Sequence, residues 1–401
     1  MTGLMPYAAA LDQLLAGVAP LPPELVRVEQ AGGRVLAADL AARLTQPPFD
    51  AAAMDGYTVR WADRAGPWAV VGTSAAGHGW AGTLGPGQAV RIFTGAPVPA
   101  GADAIVVQEE VMRDGDAARL TGEGPPHAGA HIRRAGQDFA AGQPLLMAGT
   151  RLGPAQLALA AAAGQGVLPV VRAPRVTLIA TGDELVLPGV APGPGQIVSA
   201  NPAMIAALLR AAGAMVDDPG LVRDDGDALA AAFADASGAD IIITIGGASV
   251  GDHDLVVPVL RQLGAAIDFW KVAVRPGKPM LAGRLGDARV LGLPGNPVSA
   301  FVTALLFAVP LVARLAARRH ALPVETRRLA APLPANGLRR DHLRARRLAD
   351  GRVQAFDRQD SALLSVLAAA DVLLIREPYA AAANAGDEVD CIALDMFHSV
   401  F

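Results

Sequence analysis

The chain has 401 residues, of which 52% are hydrophobic and 18% charged, with a net charge of −4. Such a length suggests about two to four domains, and such a balance describes a folded, well-buried protein. Nothing in it advertises a nucleic-acid or anionic-membrane partner, and the single cysteine, Cys391, excludes an internal disulfide and a cysteine-based metal cluster.

The opening stretch, "MTGLMPYAAALDQLLAGVAP", lacks the basic n-region of a signal peptide and predicts a short amphipathic helix. Extended chain follows to residue 44. Over 45–138 short apolar runs are punctuated by Gly and Pro ("WAVVGTSAAG", "GQAVRIFTGAPVP", "ADAIVVQEEV"), which predicts a β-rich insertion domain. "GPAQLALAAAAGQGVLPVV" returns to helix and strand. Segments 1–44 and 139–173 are therefore expected to form one discontinuous helical and extended linker domain around the insertion.

From 174 to 318 strands and helices alternate. "RVTLIAT" and "ADIIITIGG" are continuous apolar strands, and "NPAMIAALLRAAGA" and "DALAAAFADAS" are helices between them. Apolar strands separated by helices imply an α/β domain with a mostly parallel sheet covered on both faces. Ligands bind such sheets beyond the carboxyl ends of the strands. The longest apolar run, Val298–Ala313, is short for a membrane span and contains Pro310, so a buried helix is expected. Residues 319–401 read as short strands and turns, a small C-terminal β-barrel-like domain. The fold class expected is thus multidomain α/β plus β, soluble and cytoplasmic.

Four turns follow strands of the α/β segment. "ATGDEL" carries Asp183 and Glu184. "TIGGASVGDHD" carries Gly246, Gly247, Ser249 and Asp254. "WKVAVRPGKP" carries Lys271, Arg275 and Lys278. "GLPGNPVSA" carries Pro294, Gly295 and Pro297, with Asn296 placed to cap a long helix. Glycines let backbone N–H groups approach an anion, though "GGASVG" matches neither the dinucleotide fingerprint nor the Walker A spacing. Aspartates beside it suit Mg²⁺ bridging phosphate oxygens, or hydrogen bonds to the N–H groups of a heterocycle.

Lys271 and Lys278 are the only lysines in a chain whose other 32 basic residues are arginine. A site that needs slim point charges explains such a cluster, because the broad guanidinium cannot replace them. Seven scattered histidines show no metal-ligand spacing. Arg339, Arg340, Arg344, Arg346 and Arg347 lack interleaved aromatics and read as a solvated face. No G-x-S-x-G motif supports a hydrolase.

Taken together, "FDAAAMDGYTVR", "IFTGAPVPAGADAIVVQEE", "ATGDELVLPG", "GQIVSAN", "IGGASVGDHD", "WKVAVRPGKP" and "GLPGNPVSA", in this order, resemble the molybdopterin molybdenumtransferases. These are the MoeA-type molybdenum insertases related to the gephyrin E domain, and the likeness runs from about residue 5 to 400. The resemblance implies a homodimer that takes adenylylated molybdopterin and molybdate, uses Mg²⁺, releases AMP and delivers molybdenum cofactor. The 174–318 segment would be its molybdopterin-binding domain.

By the same resemblance, Lys271 and Lys278, with Arg275 between them, would hold the pyrophosphate and the oxyanion. Arg275 stands where some relatives carry lysine. Glu184, Asp225 and Asp254 would bind Mg²⁺ or the pterin. Gly246, Gly247, Ser249, Pro294 and Pro297 would line the substrate. Asp55 and Thr94 would act from the partner subunit, and Asp138 and Ser361 match family positions more weakly. A molybdopterin adenylyltransferase is an implied partner. The alternative is a catalytically silent molybdopterin-binding scaffold, which the joint presence of Asp55, Glu184 and both lysines argues against.

Overall fold

The structure, a computed structural model, describes residues 3–246, 255–319 and 322–395, and of Phe269 and Trp270 the backbone alone. Its contacts divide into two units. One comprises Met1–Glu24, Gly33–Val35 and Val171–Phe401, the other Leu25–Gly32 and Leu36–Val170.

The N-terminal helix α1 (Tyr7–Leu15) belongs to the first unit. Its apolar side, Ala10 and Leu14, is fully buried, and Tyr7 packs edge-on against Phe307, ring centroids 5.5 Å apart. Its apolar face is satisfied there, whereas the helix over Pro154–Ala162, expected to join it in a linker domain, lies in the second unit.

That second unit is built on a six-stranded sheet. In chain order its strands are β1 (Gly56–Val59), β2 (Trp68–Ser74), β3 (Gln88–Ile92), β4 (Ala104–Val107), β5 (Val111–Asp114) and β6 (Ala117–Leu120), arranged β4-β1-β3-β2-β6-β5. Alternation puts Tyr57, Val59, Ala89, Ala104 and Val106 into one core, and Ile92 and Ile105 into another on the opposite face. Gly56 lies so close to the neighbouring strand that a Cβ there would overlap the Val106 carbonyl oxygen.

The first unit carries the α/β sheet. Its elements are β7 (Arg175–Thr181), α2 (Asn201–Ala212), β8 (Met215–Asp217), α3 (Gly226–Asp235), β9 (Ile241–Ile245), α4 (Val256–Gln262), β10 (Ala266–Lys271), β11 (Val274–Arg275), β12 (Pro279–Leu285) and β13 (Ala288–Leu293). The strand order is β8-β7-β9-β13-β12-β10. β8, β7, β9 and β13 run parallel, whereas β12 and β10 are antiparallel to their neighbours, so the sheet is mixed. The reversal is made by a two-residue Gly286-Asp287 turn with Gly286 at φ 58°, a hairpin connection that favours glycine.

On β9, Ile241, Ile243 and Ile245 face one core and Ile242 the other. Both faces of that strand are dry, which is why it reads as an unbroken apolar run. One core is filled by the helix α5 (Pro297–Leu315), 19 residues at mean hydropathy 2.1 and 89% buried. It is apolar and long enough to cross a membrane, yet it is the core helix the sequence leads one to expect. A π-helical stretch occupies Ala304–Ala308.

The C-terminal strands are β14 (Val324–Arg328), β15 (Arg340–Arg347), β16 (Val353–Ala355), β17 (Val372–Arg376) and β18 (Glu388–Ala393). They form a sheet of order β11-β15-β17-β18-β14, with β16 on the other side of β15. Its outer strand β11 is thus lent by the α/β segment, parallel to β15. The arginine-rich run expected to be a solvated face is instead this β15. Arg344 is fully buried, and Arg340 pairs with Glu377 at 3.0 Å. Arg340, Arg344 and Arg346 share one face of the strand, and Arg344 is covered in the middle of it while Arg346, nearer the end, is exposed.

Candidate functional site

In the first unit, three strands end together. Gly246, which closes β9 at φ 91°, sits so near Thr181 of β7 that a Cβ would lie 2.7 Å from its carbonyl oxygen. Gly246 N–H donates to Leu293 at the end of β13 at 3.2 Å, and Gly295 lies over it, where a Cβ would stand in ordinary contact, 3.9 Å from Gly246 Cα. The result is a floor of bare backbone. Asn201, at the start of α2, donates from Nδ2 to the Gly295 carbonyl at 2.6 Å and fixes that turn. Pro294 is buried and Pro297, half-buried, opens α5. Asn296 occupies the capping position of α5 but makes no side-chain capping bond. Instead the Ser361 carbonyl accepts from Val298 N–H at 3.0 Å, which brings Ser361 to this edge.

The acids stand around the floor. The Glu184 carboxylate folds back over Gly182, where a Cβ would lie 2.6 Å from Oε2, and it makes no ion pair among the described residues. Asp225 caps α3: its Oδ1 accepts from Asp227 and Ala228 N–H groups, both at 2.9 Å. Those bonds hold its carboxyl below the ordinary value. Asp224, which sequence reasoning passed over, is tied into the site instead. It accepts from Thr181 Oγ1 at 3.3 Å, and its N–H donates to Asp183 Oδ1 at 3.4 Å. The signal was present in "RDDGDAL": an acid before a helical run is a capping residue, which leaves its neighbour for other work. Gly247, Ser249 and Asp254 lie outside the described residues. Among the described residues no three His, Cys, Asp or Glu side chains gather as a ready metal site.

The lysines flank an excursion of the chain. Lys271 ends β10 opposite Pro279 of β12, and Lys278 accepts at its carbonyl from Val272 N–H at 3.1 Å. Between them Val274 and Arg275 leave the α/β sheet and pair with Arg340 and Asp341. Gly277, at φ 115°, then presses the return against α5, where a Cβ would lie 2.5 Å from Thr303 Cγ2. Lys278 is exposed and Lys271 half-buried, and neither has a carboxylate partner among the described residues. Arg275 differs from both: its guanidinium bonds both oxygens of Asp341, and Nη2 reaches Asn336 Oδ1 at 3.4 Å. The structure brings it to the lysines in chain but commits its charge to the C-terminal sheet.

In the second unit, Asp55 precedes β1. Thr94 donates to Asp55 Oδ1 from both its hydroxyl and its N–H, each at 2.7 Å. The hydroxyl bond, then the N–H bond, keep this exposed carboxyl below its ordinary value. Nearby a pocket of about 580 Å³ is lined by Phe49, Gly95, Arg133, Gln137 and Asp138 among others. Two larger grooves of the first unit flank Tyr7 and contain none of the predicted site residues.

A glycine floor at the carboxyl ends of parallel strands, with acids and two lysines that have no carboxylate partner among the described residues on the same edge, marks an α/β protein at the place where such sheets take their ligands. Three family profiles match the chain: the MoeA N-terminal region (domain I and II) over residues 5–164, the probable molybdopterin binding domain over 177–314, and the MoeA C-terminal region (domain IV) over 326–394. It is 38% identical to the molybdopterin molybdenumtransferase of Haemophilus influenzae over 304 residues, 75% of each chain. It is 42% identical to molybdopterin molybdenumtransferase 2 of Mycobacterium tuberculosis over 302 residues, 72% of this chain and 74% of that one. The crystal structure of the molybdopterin biosynthesis MoeA protein from Pyrococcus horikoshii superposes with a TM-score of 0.80 at 30% identity, covering 98% of this chain and 99% of that one. The chain belongs to the molybdopterin molybdenumtransferase (MoeA) family, and its multidomain fold is the MoeA fold.

Proposed function

We propose that this protein inserts molybdenum into adenylylated molybdopterin, releasing AMP and yielding molybdenum cofactor. The observation that carries this is the pair of lysines, the only two in the chain, held without carboxylate partners beside the glycine floor. In the reaction, water adds across the phosphate–phosphate bridge, leaving one phosphate on the pterin and the other on AMP, while the two thiol sulfurs of the pterin bond molybdenum and one molybdate oxygen leaves as water with the two thiol protons.

Lys271 and Lys278 attract the phosphate and molybdate oxygens and stabilise charge that builds on them. The floor at Gly246 and Gly295, flanked by Pro294 and Pro297, lets the ligand approach the backbone, and Gly247 and Ser249, next in sequence, are assigned to the same ligand. Glu184, the second oxygen of Asp225, and Asp254 are the groups that would hold Mg²⁺. An all-oxygen donor set with an ion-pair-free Glu184 fits that ion, which takes one or two carboxylates plus substrate phosphates. When bound, Mg²⁺ would offset the negative charge of the phosphates. Asp55, oriented by Thr94, supplies an ionised carboxylate, with Asp138 and Arg133 lining the space beside it. We assign the working form to a homodimer in which Asp55 and Thr94 of one copy serve the other, and a molybdopterin adenylyltransferase as the supplier of substrate.

The test is AMP release from adenylylated molybdopterin with Mg²⁺, with and without molybdate. Molybdate-dependent AMP together with metal-loaded pterin is the expected result. Binding of the nucleotide without AMP at any oxyanion concentration would overturn the assignment in favour of a binding scaffold.

A further inference from the structure

The geometry points to Arg91 as a positioning residue for Asp55, an inference that rests on the proposed role of Asp55 in turnover. Arg91 lies on β3 directly across from Tyr57 of β1. Its guanidinium has four anchors. It lies 5.1 Å from the Tyr57 ring centroid and 4.7 Å from that of Phe93. Nη1 donates to the Gly56 carbonyl at 2.8 Å, and Nη2 to Gln108 Oε1 at 2.5 Å.

Three of the four are one step from the Asp55–Thr94 pair, and Tyr57 is two residues from Asp55. Gly56 follows Asp55, and Phe93 precedes Thr94. Gln108 N–H donates to the Asp55 carbonyl at 3.1 Å. One planar cation therefore ties together the chain on both sides of the bond from Thr94 to the Asp55 carboxylate. Gly56 is held in place from both sides, paired with Ile92 of β3 and Val107 of β4. Among the described residues no carboxylate pairs with Arg91, so its charge is left to act on the acid it positions. The other groups about Asp55 are Thr94, Gln108 and, through the Gln108 amide, Glu109 at 3.2 Å. Two in-plane hydrogen bonds combined with ring contacts are a task for a guanidinium, and an ammonium cannot perform it.

Arg91→Lys is the discriminating variant, because it keeps the charge and loses the geometry. With the purified full chain, kcat for AMP release should fall about tenfold or more while KM stays within about twofold. In an Asp55→Asn background the same change should cost less than about twofold, since a residue acting through Asp55 has nothing left to act on. Melting temperatures of the variants report folding separately. A carbon-13 titration of the Asp55 carboxyl, in the wild type and in Arg91→Met, needs no turnover. Its midpoint should move up in the variant. Full kcat in Arg91→Lys, an equal loss in both backgrounds, or an unmoved Asp55 midpoint would each overturn the inference. A wild type that releases no AMP would instead sink the proposed function, and the titration would still decide the link between Arg91 and Asp55.

Discussion

Arg275 and Asp341 meet as a two-toothed ion pair, one partner half-exposed and the other 3% exposed, at the point where the loop between the lysines crosses to the C-terminal sheet. The pair raises the Arg275 pKa, chiefly through its bonds to Asp341. Its position gives it a mechanical task. Lys271 lies on one side of this anchor and Lys278 on the other. The pairing of β10 with β12 sets them side by side, while the anchor holds the loop that leads out of one and into the other.

Asp341→Asn should therefore cost more in turnover than in stability. The guanidinium is half-exposed and water would re-solvate it, so the loss of stability is about 1 kcal/mol. AMP release should fall about tenfold, because displaced charges stabilise the transition state poorly. Unfolding curves and turnover on the same preparations decide it, and equal turnover would show that the anchor is dispensable.

Lys278→Ala removes an exposed ammonium that holds nothing else together among the described residues. The melting temperature should stay within about 1 °C of wild type, while AMP release falls at least a hundredfold. A variant that melts early or turns over normally would contradict the role given to this side chain.

Thr94→Val deletes the hydroxyl that most strongly favours the charged form of Asp55 while leaving the N–H bond. The Asp55 pKa should rise toward the ordinary carboxylate value. The carboxylate is then lost earlier as pH falls, so the acid limb of the pH–rate profile should move to higher pH. A profile superimposable on that of the wild type would separate Thr94 from the ionisation of Asp55.

His342 offers an acid-stability test. It is wholly buried on β15, neither ring nitrogen has a hydrogen bond of good geometry among the described residues, and burial followed by the Arg340 charge pushes its pKa from 6.5 down to about 3. The unfolded chain binds this proton below about pH 6.5, whereas the fold refuses it until about pH 3. Stability should therefore be full above that window and fall through it, by an amount on the order of 5 kcal/mol. His342→Leu should flatten this part of the slope in denaturant titrations at stepped pH.

The elements most legible in the sequence were those whose pattern is local. The buried isoleucines of β9, the core helix α5 and the glycine turns all declare themselves within ten or twenty residues. The Gly286-Asp287 hairpin was equally local, but the alternation of strands and helices before it leads one to expect a mostly parallel sheet, in which a hairpin has no place. The partner of Arg275 was not legible at all: it stands 66 residues away, and no periodicity links an arginine in one domain to an aspartate in another. Arg344 illustrates a further limit. A run dense in arginine looks solvated until the strand takes a central place in a sheet, and only the folded sheet shows that the mid-strand Arg344 is fully buried while Arg346 on the same face is exposed. At the site, the capping task of Asp225 could have been read from its place before a helix, and with it the closer involvement of Asp224.

The arm Val274–Arg275 also has a consequence for the order of events during synthesis. It leaves the ribosome well before the strand it pairs with, and its target, Asp341, follows 66 residues later. Until then the lysine loop lies only against the N-terminal segment, where Met5 bridges Val272, and Val274, fully buried in the finished protein, has no cover from β15. A nascent chain stalled after α5 could complete the glycine floor and still lack the anchor of the loop between its two lysines. The last segment made is the one that pins that loop, so an incomplete product can close its main core before the cleft is fully seated.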